Sequence, residues 1–264
     1  MQRIDKRSQL PALLVVAAFA MAQGVCAQTP SQPAPSTPKP EGVVVLSKQP
    51  PPTAEEIGDA YMAQQRYQAA IEAYKKGPRK SATLQNKLGI AYQMMLDTGD
   101  AMRCYEESYK LDPHNASVIN NLGTIFDSQK EYKAAEKMYR KALKFQPKSA
   151  VIYKNLGNVL IAQHKYKKGW TAYETALALD PQIFERSRGP KVENPSSVRD
   201  RGAMNYYLAK SYVHAGMNAR AIESLRIAIN EGFTTPKKVA EDSEFASLRG
   251  NPAFEQMIAA QSSP

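Results

Sequence analysis

His114, His164 and His214 are the chain's three imidazoles and Cys26 and Cys104 its two thiols, the groups from which a metal site, a general base or a nucleophile would be drawn. Their spacing suits none of these roles. No His-x-x-x-His pair puts two imidazoles on one helix face, and no cysteine stands beside a histidine. Gly-x-Ser-x-Gly, a phosphate-cradling P-loop and Gly-x-Gly-x-x-Gly are also missing. Acid pairs such as Glu55 with Glu56 and Glu106 with Glu107 are neighbours in sequence, so on a helix they point to different sides rather than into one site. With no nucleophile, base and water-excluding pocket in prospect, the expectation is a non-enzyme without metal or cofactor. What recurs instead is the side-chain amide. "NKLGIAY" (86 to 92), "NNLGTIF" (120 to 126) and "KNLGNVL" (154 to 160) place Gly89, Gly123 and Gly157 at one 34-residue interval.

A fixed period of that length predicts a solenoid, in which each unit buries its apolar face against its neighbours. Aligned on the glycines, Tyr105, Tyr139 and Tyr173 share a register, as do Pro113, Pro147 and Pro181, and Ala101, Ala135 and Gly169. Each unit therefore reads as two helices. Small residues let the pair approach closely, the tyrosines fill the space between pairs, and the proline ends the second helix because it has no N–H to donate. The pattern Tyr153, Leu156, Gly157, Leu160, Gly169, Tyr173, Pro181 resembles the tetratricopeptide repeat. A looser copy precedes the strict three (Ile57, Gly58, Tyr61, Ala70, Tyr74), and another follows (Leu208, Ala209, Tyr212, Ala221, Leu225, Ala228). The last copy arrives 18 residues late, after a stretch with two prolines that reads as a loop. The closing "DSEFASLRGNPAFEQMI" (242 to 258) resembles the capping segment of such proteins, with Phe245, Leu248, Phe254 and Met257 covering the last apolar face.

The resemblance covers about residues 51 to 235 and implies an all-α, right-handed α-solenoid of about five helix-turn-helix units, of a bacterial exported type. Its expected division is a leader at 1–27, a disordered proline-rich linker at 28–52, four units over 53–183, a loop at 184–201, a fifth unit at 202–235, and capping helices with a tail at 236–264. It also implies that the first helix of each unit lines a concave groove holding a peptide or partner protein. The groove candidates are then Asn86, Asn120, Asn121, Lys154, Asn155 and Asn158, because an amide offers a donor and an acceptor to the backbone of an extended peptide. Lys154 with Asn158 matches part of the family's chaperone-tail clamp, but Tyr207 stands where that clamp wants an asparagine.

The leader is read from Arg3, Lys6 and Arg7, then an apolar run from Leu10 to Ala22, then Val25, Cys26 and Ala27 before a cut ahead of Gln28. Its 13 apolar residues fall short of a membrane span, so the mature chain is expected in the periplasm, with an uncleaved anchor or lipoprotein as the lesser alternatives. Losing Cys26 leaves Cys104 alone, without an intrachain disulfide. The net charge of +10 is concentrated between Lys130 and Lys168, where eleven basic residues face two acids. Export makes nucleic acid an unexpected partner for this basic stretch, and no small-molecule substrate is expected. The stretch suggests an alternative function, an anionic envelope surface or acidic partner held through Lys137, Arg140, Lys141 and Lys144.

Overall fold

The computed structural model describes residues 50–185 and 198–259; the leader and the linker up to residue 49 lie outside the described residues. All described elements belong to one unit, Pro50–Pro264, and all are helical. They form five antiparallel pairs: α1 (Ala54–Ala63) with α2 (Tyr67–Tyr74), α3 (Ala82–Met94) with α4 (Thr98–Leu111), α5 (Ala116–Ser128) with α6 (Tyr132–Phe145), α7 (Ala150–Ala162) with α8 (Tyr166–Leu179), and α9 (Val198–His214) with α10 (Asn218–Asn230). Each second helix packs in turn on the first helix of the next pair, so the unit is an α-solenoid.

Local sequence explains the starts and stops. Thr53 opens α1 with a capping box, its hydroxyl accepting Glu56 N–H at 3.2 Å while the Glu56 carboxylate accepts Thr53 N–H at 2.7 Å. Asn115 caps α5 and Asp97 caps α4 in the same side-chain-to-backbone manner. Pro113, Pro147 and Pro181 stand two residues beyond α4, α6 and α8. The turn inside each pair needs one left-handed residue, seven positions after the register glycine or its equivalent. Gln65, Leu96, Lys130 and His164 take it at φ 58°, 63°, 62° and 58°, and in the fifth pair Gly216 takes it at 72°.

The register glycines are where helices touch. A Cβ added to Gly58, Gly89, Gly123 or Gly157 would lie 2.1, 2.5, 2.6 or 2.4 Å from the ring of Tyr74, Tyr105, Tyr139 or Tyr173. The tyrosines therefore lie across the glycine of their own pair, and not solely between pairs as the sequence suggests. They also reach onward, Tyr105 clustering with Leu122 and Ile125, and Tyr139 with Ile152 and Leu156. In the fifth pair the two positions change together, to Ala209 and Leu225, both fully buried. The added methyl takes room that the smaller side chain gives up.

The late fifth unit differs from the expected boundaries. α9 begins at Val198, so residues 198 to 201 are helical where a loop through 201 is expected. Two serines just before it in "NPSSVRD" are good helix-starting residues that the loop reading passed over. At the other end of that stretch Phe184 is packed, edge-on to Tyr173 at 5.2 Å and to Tyr212 at 6.2 Å. Its neighbour Ile183 is 5 % exposed. Beyond α10, α11 (Pro236–Glu241), a 3-10 helix (Ser243–Leu248) and α12 (Pro252–Ala259) bury Phe245, Leu248, Phe254 and Met257 against Leu225 and Ile229.

Candidate binding groove

The first helices α3, α5 and α7 bring the repeated amides together, and the amides bond to one another. Asn155 Nδ2 donates to Asn120 Oδ1 at 3.0 Å, Asn120 Nδ2 to Asn121 Oδ1 at 3.4 Å, and Asn121 Nδ2 to Asn86 Oδ1 at 3.0 Å. All three bonds run in one direction, from α7 to α3. The rule behind the two bonds between units is positional: the residue two before a register glycine meets the residue three before the previous one. At the N-terminal end the same rule pairs Lys87 with Glu55 at 2.7 Å, and Lys87 also meets Asp59 at 2.6 Å.

Asn155, Asn120 and Asn121 each spend one N–H on the next amide and keep a second, while Asn86 only accepts, so the row ties units together and still presents donors. Asn158 sits apart from the row, its Oδ1 accepting the Tyr173 hydroxyl at 2.9 Å. Lys154 occupies the same position as Asn86 and Asn120, one unit on, and burial draws its pKa below the ordinary lysine value.

A second polar line runs beneath. In three of the pairs the tyrosine hydroxyl reaches a residue of its own first helix: Tyr74 donates to Asp59 at 2.7 Å, Tyr105 to Gln93 at 2.7 Å and Tyr173 to Asn158 at 2.9 Å. Tyr139 is the exception, its hydroxyl buried without a partner among the described residues. The residues at the matching positions are Thr124, which donates to Asn121 O at 2.7 Å instead, and Asp127. Burial, and secondarily the Asp127 charge, push the Tyr139 phenol well above its usual range.

Sequence reasoning missed the C-terminal end of the row. Where the strict units carry amides, the fifth has Tyr206 and Tyr207. The Lys210 amine lies 5.1 Å from the centre of the Tyr206 ring, 5.5 Å from Trp170 and 5.8 Å from Phe245, and pairs with Asp242 at 2.7 Å. Tyr206 donates to the same carboxylate, and Tyr207 stacks on Tyr166 at 5.1 Å. His214 bridges Glu174 at 2.6 Å and Glu244 at 2.7 Å. Aromatics in the register of the amides were the visible signal.

The basic candidates lie on α6, away from the amides. Arg140 Nε holds Glu136 at 2.9 Å, and Lys141 donates to the Tyr109 hydroxyl from above its ring. Lys137 and Lys144 are exposed. Cys104 is packed near Tyr74 and Leu84, and burial raises its thiol pKa, the reverse of an activated nucleophile.

The tetratricopeptide repeat matches the chain at residues 54–77 and again at 116–149. No curated protein matches it. Among solved structures, one described as "Crystal structure of MamA" is 22% identical, covering 70% of this chain and 98% of its own, with a TM-score of 0.47. MamA from Desulfovibrio magneticus, from residue 41 to its end, is 18% identical, covering 72% and 96%, with a TM-score of 0.48.

Proposed function

We propose that this tetratricopeptide-repeat protein is an exported binding scaffold that holds an extended segment of a partner protein along the amide row of α3, α5 and α7. One observation carries the reading: three bonds link four amides in a single direction across three units, leaving a fixed series of N–H donors. Such a row pairs with the C=O groups of an extended chain whatever its side chains are, which is a recognition mode by backbone rather than by sequence. Donors held by their neighbours lose little freedom on binding, so the preformed row favours association.

The leader reading places the scaffold in the periplasm. Mass spectrometry of the mature chain should then find it beginning at Gln28 with no lipid on Cys26, and an intact Met1 would contradict export by this route. The groove itself is tested by photo-crosslinking from position 124 on α5, with position 107 on α4 as the control. Adducts with a partner from 124 and not from 107 support the groove. Adducts from 107 alone move the binding to the second helices.

A further inference from the structure

Between α6 and α8 the structure leaves a cleft of about 610 Å³, floored by Leu156, Leu160 and Ala172 and rimmed by Arg140 and Lys168. The register explains why it is open. One unit earlier, Lys141 lies over the Tyr109 ring, 4.6 Å from its centre, and donates to its hydroxyl, so two long side chains plug the equivalent space between α4 and α6. Thirty-four residues further on, those two positions hold Thr175 and Leu143. Thr175 and its neighbour Thr171 turn their hydroxyls onto their own helix, donating to Thr171 O at 2.9 Å and Lys167 O at 3.1 Å, so they neither fill the cleft nor offer it a polar group.

The unpaired charge on the two helices that wall it is of one sign. Lys133, Lys137 and Lys144 on α6 and Lys167 and Lys168 on α8 are exposed and have no carboxylate partner among the described residues. The carboxylate in the wall, Glu136, is already held by Arg140 at 2.9 Å, Gln163 at 2.9 Å and Lys165 at 2.7 Å. Arg140 uses only its Nε there, which leaves its terminal nitrogens for a second carboxylate. The corresponding cleft between α2 and α4, about 470 Å³, has mixed charge, with Glu107 at the register position of Lys141.

We propose that the α6–α8 cleft is a second docking surface, independent of the amide row, and that it takes an acidic segment of a partner protein whose carboxylates flank one large apolar side chain. The apolar side chain enters over Leu156, Leu160 and Ala172, and the carboxylates meet Arg140 and Lys168. A flat anionic membrane would engage the charges and leave the recess over Leu156, Leu160 and Ala172 unfilled, so the recess favours the protein segment.

The test uses the full-length chain and two labelled peptides, glutamates around one central phenylalanine and the same peptide with glycine in its place, titrated by fluorescence anisotropy. The phenylalanine peptide should bind about tenfold tighter or more, the usual worth of burying one such side chain. Leu143→Tyr with Thr175→Lys transplants the plug from the preceding unit and should abolish that preference without lowering the melting temperature. Lys168→Glu should weaken both peptides. Equal binding of the two peptides, or a preference that survives the plug, would overturn the proposal. So would phosphatidylglycerol vesicles being the only probe whose binding responds to charge reversal.

Discussion

Asn121 of α5 donates to Asn86 of α3 at 3.0 Å, and the same bond recurs one unit on from Asn155 to Asn120, each spanning 35 residues of sequence. One residue type therefore serves two ends. It fixes the stacking of neighbouring pairs and lines the surface that those pairs create. A stability change and a binding change at these positions are consequently separate measurements.

The tyrosine hydroxyls give a sharp contrast within one chain. Tyr105→Phe and Tyr173→Phe each remove a bond to a partly buried acceptor, at 2.7 and 2.9 Å, and should cost about 1 kcal/mol in chemical denaturation. Tyr139→Phe removes a buried hydroxyl that has no partner, and should be neutral or stabilising. A loss at Tyr139 as large as at Tyr105 would mean that its hydroxyl is satisfied after all.

Gly123 and Tyr139 should be exchangeable only together. Gly123→Ala drives a methyl to 2.6 Å from the ring and is expected to cost about 1–3 kcal/mol, partly offset by the better helix propensity of alanine. Adding Tyr139→Leu reproduces the Ala209 and Leu225 pair of the fifth unit and should recover stability relative to the sum of the single changes. A double-mutant cycle measures the recovery, and strict additivity would contradict the pairing.

Leu96 occupies a left-handed turn at φ 63° and is 69 % exposed, so its side chain contributes little packing there. Leu96→Gly, matching Gly216 in the fifth pair, should raise stability by about 0.5–1 kcal/mol, read as an increased denaturation midpoint.

Two groups pull the pH dependence of stability in opposite directions. Burial opposes the Glu136 charge, but hydrogen bonds from Lys165, Arg140 and Gln163 outweigh it and bring the pKa down to about 2 from an ordinary 4.5. Its contribution is full above 4.5 and lost as pH falls towards 2, at most about 3 kcal/mol before screening of its more exposed partners. For His214, burial likewise opposes the charge, while Glu244 and Glu174 raise the pKa above 6.5. That contribution is full below 6.5 and fades as pH rises through the raised value. Glu136→Gln should flatten the acid limb and His214→Gln the upper one in melting temperature against pH. Unchanged limbs would remove these pairs from the account.

Much of the fold is legible in the sequence because it depends on short range. The interval from Gly89 to Gly123 to Gly157, the tyrosine 16 residues after each and the proline beyond each second helix all act within one unit. What stayed hidden depends on how units stack. Asn121 meeting Asn86 rather than solvent requires the relative placement of two helices that no periodicity states. Glu136, read only as one of two acids in a basic stretch, gathers Arg140 from its own helix but Gln163 and Lys165 from the next pair. The orphaned Tyr139 hydroxyl shares its register with three bonded ones, and only the identity of the neighbours at 124 and 127 separates it from them.

The most direct test of the groove is Asn121→Ala with Asn155→Ala, assayed for capture of the partner crosslinked from position 124 at a temperature well below melting. The double variant loses all three bonds of the row, two of 3.0 Å and one of 3.4 Å, and should be destabilised by about 1–3 kcal/mol, remain folded by circular dichroism, and lose capture. A folded variant that melts earlier and captures the partner as well as the parent chain would contradict the account, leaving the amides to hold the units together and nothing more.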